Sequence, residues 1–222
     1  MLDLARSDVF LDICTQRDYL AEGGTRPSVN GPQLLPNLKR LMAFERWAGV
    51  PTISCMDAHH SGEVRGTLRP DCVIGTPGQR KIGFSIMPRH VLIDSDNYLS
   101  IPLDILVHFQ QAIFTKAHRD PFTNPKLDRL LTEMPAGRFV VFGVSLEVSI
   151  RLLVLGLLLR RRKVVLVEDA CGFWSGNEAK MTVRQLIAKG CEIVSTEGLI
   201  RSAFGARKLN GQSRSARSRS VA

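Results

Sequence analysis

Four short stretches of this sequence place polar side chains suited to hydrolytic chemistry directly after apolar runs. "VFLDICTQRDY" offers Asp12, Cys14 and Asp18, and "ISCMDAHH" offers Asp57, His59 and His60. "AIFTKAHRD" offers Lys116, and "FVVFGVSLEVSI" offers Ser149 beyond a glycine. A hydroxyl or thiol attacks a carbonyl when a base takes its proton and a cation or backbone N–H groups hold the developing oxyanion. Ser149 is the hydroxyl and Cys14 the thiol. Lys116 is the cation or, if desolvated enough to be neutral, the base for a serine. Asp12 precedes Cys14 by two residues, so period-two alternation points it to the same strand face, deeper by about 6–7 Å. That makes it a second candidate base.

A serine is the harder nucleophile to activate. A helix N-terminus and a nearby cation bring a thiol close to neutral pKa, and the thiolate is its attacking form. The same surroundings leave a hydroxyl far from that range, so Ser149 depends on a placed base. Each residue also has a plain structural reading. Cys14 is then a small buried hydrophobe, Ser149 a hydroxyl near a helix start, Lys116 a snorkelling surface residue, and Asp57 a loop cap beside a solvated His59.

The elements that must position these side chains are legible as alternating patterns. Strand-length apolar runs fall at 9–14, 50–56, 111–117, 138–144, 163–169 and 191–196, and helical patterns at 33–49, 125–134, 146–161 and 177–189. Short continuous apolar runs alternating with helices predict an α/β three-layer sandwich with a six-stranded parallel sheet and right-handed crossovers. Its site lies beyond the carboxyl ends of the strands.

The chain has 222 residues, 44% of them hydrophobic, enough for one domain over 1–200. The formal charge of +9 is concentrated at the end: 201–222 holds Arg201, Arg207, Lys208, Arg214, Arg217 and Arg219 and no acid. The body therefore carries only +3. The tail is Ser/Arg-rich and is expected to be disordered, with nucleic-acid contacts limited to weak ones of its own. Five scattered cysteines without a CxxC pair argue for reduced thiols and a cytoplasmic setting. The most apolar window, "VSIRLLVLGLLLRRRK", is interrupted by Arg151 and too short to span a bilayer.

Four segments, taken in order over about residues 8–200, carry a resemblance. "DICTQRDYL" resembles a D-x-Q-x-D-F first-strand motif, and "DAHHSGEV…RPDCVIGTPGQRKI" a metal loop with D-x-H and a later G-T-P-G turn. "IFTKAHRDPFTNPKLDRLL" resembles a catalytic-lysine segment, and "VVFGVSLEVSIRLLVLGLLLRRRKVVLVEDACGFW" a nucleophile loop G-V-x-T-x-x-C-V with its following strand. Together they resemble the isochorismatase-like cysteine hydrolase superfamily and, within it, the nicotinamidase branch. The resemblance implies a Cys nucleophile, an Asp that handles its proton and a Lys that stabilises charge. Lys116 matches; the Asp position is Cys14 and the nucleophile position is Ser149. The family's metal ligands match at Asp57 and His59, while the second His falls on Asp71; the resemblance thus implies two carboxylates and an imidazole, a set that suits Zn²⁺, Mn²⁺ or Fe²⁺ with water completing the shell, with His60 and Cys72 as weaker ligand candidates. In nicotinamidase-like enzymes this metal binds the substrate's pyridine nitrogen. The family's non-proline cis peptide, which aims backbone N–H groups at the oxyanion, falls on Val144–Ser145.

The implied function is a hydrolase acting on C–N bonds of small amides, with low or lost activity because two catalytic positions are changed. The alternative is a non-catalytic homologue that binds a small molecule or protein partner through the same pocket. The resemblance leaves homo-oligomerisation open.

Overall fold

Apolar runs that read as doubly buried strands form the centre of one parallel sheet. The computed structural model describes residues 8–62 and 71–204. The strands are β1 (Asp8–Ile13), β2 (Thr52–Asp57), β3 (His90–Ile93), β4 (Gln111–Lys116), β5 (Arg138–Val144), β6 (Val164–Gly172) and β7 (Glu192–Val194). They lie in the order β3-β4-β2-β1-β5-β6-β7. Every neighbouring pair is parallel. The sheet thus has seven strands rather than the expected six. The addition, β3, is four residues long and half exposed at the sheet edge, so it lacks the continuous apolar run by which the others were recognised.

The helices are α1 (Arg17–Leu20), α2 (Gly31–Ala48), α3 (Ile105–His108), α4 (Pro125–Glu133), α5 (Arg151–Leu159) and α6 (Gly176–Ala188). Their ends follow local chemistry. Asn124 accepts from the N–H groups of Lys126 and Leu127 at the start of α4, and Ser175 caps α6 through Glu178 N–H. Gly49, at φ 66°, closes α2. The order in which strands are added reverses about β1, with β2 on one side and β5 on the other. Right-handed crossovers therefore put α2 on the face opposite α4, α5 and α6. A last helix over 196–204 joins the α2 face, where Phe204 meets Phe44 and Trp47. That helix crosses the domain boundary expected at 200. The rest of the expected disordered tail, 205–222, and residues 63–70 of the metal loop lie outside the described residues. Among the described residues no helix is long and apolar enough to cross a membrane.

The α2 face buries an unusual carboxyl group. Glu45 is fully buried; Thr52 Oγ1 donates to its Oε1, and its Oε2 has no partner. Burial pushes this carboxyl up to about 8. The folded form therefore holds a proton that the unfolded chain releases above its ordinary value of 4.5. Stability contributed by that proton is full below about pH 4.5, falls as pH rises, and levels off past about 8. Glu45→Gln keeps the acceptor for Thr52 and removes the titration. Urea unfolding between pH 5 and 9 should show a wild-type decline on the order of a few kcal/mol that is flattened in the variant. An unchanged slope would place the titrating group elsewhere.

Candidate active site

The chemistry-bearing residues collect at the carboxyl ends of four adjacent strands, β4, β2, β1 and β5. Asp57 and Lys116 are register partners across β2 and β4, so their side chains leave the sheet on one face. There they pair: Lys116 Nζ donates to Asp57 Oδ1. Tyr19 Oη donates to Asp57 Oδ2 at 2.8 Å. Lys116 also donates to the His118 carbonyl at 3.0 Å and reaches Ser149 Oγ at 3.4 Å. Its side chain is completely shielded from water, and that of Asp57 nearly so. Burial alone would favour the neutral amine, but the Asp57 charge prevails and holds the Lys116 pKa above its ordinary value. Lys116 is a cation here.

Several neighbours fix Asp57. The Gln16 side-chain amide bonds its backbone twice, donating to Asp57 O at 2.8 Å and accepting from Asp57 N at 2.7 Å. Gln16 Nε2 also donates to Gln79 O, tying the 71–82 loop to the strand ends. Asp18 accepts from Thr25 and from Cys72 N–H, which closes the same loop over the site.

Asp12 departs from its expected place. It lies on the α2 face, where its Oδ2 accepts from Ser54 Oγ at 2.9 Å and from Lys81 Nζ at 2.6 Å. Ser54 precedes Asp57 by three residues, so the two leave β2 on opposite faces. The period-two expectation that Asp12 and Cys14 share a face fails for a local reason. Cys14 has left the strand, at φ 48°, and this turn swings its thiol toward Cys55, Asp57 and Lys116. Burial, with the Cys55 contact and the Asp57 charge, pushes the Cys14 thiol well above the ordinary range, which disfavours the thiolate.

Ser149 sits in the wide helical turn Leu146–Ile150 that leads into α5. The preceding Val144–Ser145 peptide is cis. Gly143, at φ 119°, is required before it, since a Cβ there would run into the backbone of Ile13. Ser145 Oγ is buried without a partner.

The expected metal ligands separate into two groups. Asp57 is engaged by Lys116 and Tyr19, whereas His59 Nδ1 faces Asp71, 2.8 Å from its carbonyl and 3.2 Å from its Oδ1. The Asp71 hydrogen bond raises the His59 pKa despite partial burial. Burial pushes the Asp71 carboxyl up, but the bond to His59 and the Arg26 charge bring it below its ordinary value. Cys72 is buried, its pKa raised by that burial. Among the described residues no three His, Cys, Asp or Glu side chains are placed to hold a metal ion. As arranged, Asp57, His59 and Asp71 do not fit one. The role that sequence reasoning missed is that of Asp57 as counter-ion to Lys116, together with Tyr19 as its second partner. The adjacency of β2 and β4 was the missing signal.

Beyond Tyr19 the site is walled by Trp174, whose ring meets Tyr19 edge-on at 5.5 Å. The Arg26 guanidinium stacks on Trp174 at 3.6 Å and pairs with Asp71 at 3.7 Å.

The class of fold is thus a parallel α/β sandwich with its polar residues gathered at the strand ends. The isochorismatase domain family model matches residues 9–198, and the chain belongs to that family. No curated protein matches the sequence. Among solved structures, the pyrazinamidase of Pyrococcus horikoshii in complex with zinc is similar, with TM-score 0.67, 20% identity, and 85% of this chain and 99% of that one covered. The nicotinamidase/pyrazinamidase PncA from Bacillus subtilis gives TM-score 0.68 at 14% identity, covering 85% and 100%. PnC1 from L. infantum in complex with nicotinate gives 0.67 at 17% identity, covering 87% and 95%. At these identities the likeness establishes the fold.

Proposed function

We propose that this chain is a nicotinamidase-like member of the family whose pocket receives a small amide, and whose turnover at the C–N bond is low or lost. The observation that carries this reading is the state of Lys116. It is cationic, paired with Asp57, and turned toward Ser149 as a donor. A protonated lysine stabilises an oxyanion but takes no proton from a serine, and Asp12 lies on the other face of the sheet. Ser149 therefore has the charge stabiliser of the mechanism and lacks its base. The Cys14 thiol, protonated by burial, does not replace it.

Binding is supported separately by Trp174, partly exposed beside the buried Tyr19, an aromatic side chain suited to contact with a flat heteroaromatic amide. This favours the second reading, a binding protein that uses the same pocket without turnover. A divalent metal remains part of the proposal through the zinc in the Pyrococcus relative alone. Ligation here requires Asp57 to leave Lys116. The cysteine chemistry is consistent with a cytoplasmic setting.

Nicotinamide and pyrazinamide serve as probes. Thermal stabilisation by either amide, with product release near the uncatalysed rate and unchanged by Ser149→Ala, is the expected result. Rapid turnover lost in Ser149→Ala would overturn the low-activity reading. Absence of both stabilisation and turnover would overturn the pocket assignment.

A further inference from the structure

We propose that β3 is a self-pairing edge, through which two copies of this chain join their sheets antiparallel about a two-fold axis at Leu92. β3 ends the sheet, and among the described residues no strand covers its outer side. An open edge with unpaired N–H and C=O groups is a template for another strand. This one carries few of the usual protections: it has no proline, and its exposed central residue is the apolar Leu92, 56% exposed.

The ladder to β4 fixes which backbone groups are free. Gln111 N–H donates to Arg89 O, so the odd-numbered residues of this segment turn their backbone toward β4. Successive residues alternate, hence His90, Leu92 and Asp94 turn theirs outward. In an antiparallel pair, residues that exchange both hydrogen bonds sit directly opposite one another. Outward groups at 90, 92 and 94 therefore allow isologous registers related by two-residue shifts, and the one with Leu92 opposite Leu92 sets His90 opposite Asp94, twice. Shifting by one residue would set inward-facing groups against outward-facing ones.

The side chains agree with the backbone parity. Residues 90, 92 and 94 share a face, which gives an apolar centre flanked on each side by a histidine–carboxylate pair. His90 and Asp94 are exposed, and among the described residues none holds the Asp94 carboxylate. His90 Nδ1 is fixed by the Met87 carbonyl at 2.7 Å, which sets the ring at the strand start. Arg89 lies across from Ser95 in the same register, adding a cation beside the Asp94 carboxylate of the other copy. A strand with a basic beginning, an apolar middle and an acidic end is complementary to itself when reversed. The occupant is thus a second copy of this chain.

Sedimentation velocity of the full chain across a concentration series tests this. A reversible monomer–dimer equilibrium is expected. Leu92→Pro removes only an outward N–H, so the monomer should keep its circular dichroism spectrum and lose dimerisation. His90→Asp sets carboxylates opposite one another, and Asp94→Lys sets cations opposite; each should raise the dimer Kd about tenfold or more. His90→Asp with Asp94→Lys in one chain restores opposite charges across the axis and should return the Kd toward wild type. A chain monomeric at all concentrations overturns the proposal. So does a dimer indifferent to Leu92→Pro, or charge variants whose combination is no better than either alone. Amide binding in the pocket is independent of these outcomes.

Discussion

The double variant Ser149→Cys/Cys14→Asp gains hydrolysis of nicotinamide or a related small amide, by roughly 10²-fold or more over wild type. The substitution supplies the nucleophile and proton acceptor that the family resemblance implies at these positions, around the lysine already present. A thiol at 149 lies beside the Lys116 cation, which favours the thiolate. A carboxylate at 14 enters the space where the present thiol already senses Asp57 and Lys116. The backbone accepts it, because Asp visits the left-handed region near φ 48° more readily than most residues. Neither single change suffices. Cysteine at 149 alone has no proton acceptor other than an Asp57 committed to Lys116, and aspartate at 14 alone serves a hydroxyl that remains far from ionisation. The measurement is kcat and KM for wild type, both singles and the double, since groups acting as a unit give strongly non-additive rates. Two results would sink this view: robust wild-type turnover abolished by Ser149→Ala, or wild-type turnover abolished by Cys14→Ala alone.

What the sequence made legible follows from how far each signal reaches along the chain. The buried strands were visible because a doubly covered parallel strand is apolar throughout, as "RFVVFGV" is. β3 was not, since an edge strand of four half-exposed residues has no such signature. Lys116 and Ser149 could be placed in one site from motif order alone, and they meet at 3.4 Å. Asp12 could not, because the inference rested on strict alternation continuing to residue 14, and one positive φ at Cys14 reverses the parity. The same limit applies to Asp57. Its motif resembles that of a metal ligand, but its partner is decided by which strand lies alongside β2. That is a long-range fact, and local spacing does not encode it.

Asp57→Ala should be among the most destabilising single substitutions at this site, losing about 3–5 kcal/mol. Lys116 is wholly buried and charged, and Asp57 is the carboxylate its ammonium contacts. The carbonyl of His118 and the hydroxyl of Ser149 accept hydrogen bonds but carry no compensating charge. Removing Asp57 leaves the lysine either ionised and unpaired or neutral at an energetic cost, and it also strips Tyr19 Oη of its acceptor. For a chain of this size the loss corresponds to a melting temperature lower by about 6–20 °C. The interpretation hinges on the second arm of a double-mutant cycle. Lys116→Met replaces the buried cation with an apolar chain of similar length, so Asp57→Ala/Lys116→Met should be clearly more stable than Asp57→Ala alone. That recovery identifies the loss as an unpaired charge rather than a generic cavity at the end of β2. If Asp57→Ala unfolds within about 1 kcal/mol of wild type, Lys116 has another counter-charge or is already neutral. In the neutral case Lys116 would be available as a base to Ser149, and the low-activity reading would fall with the ion pair.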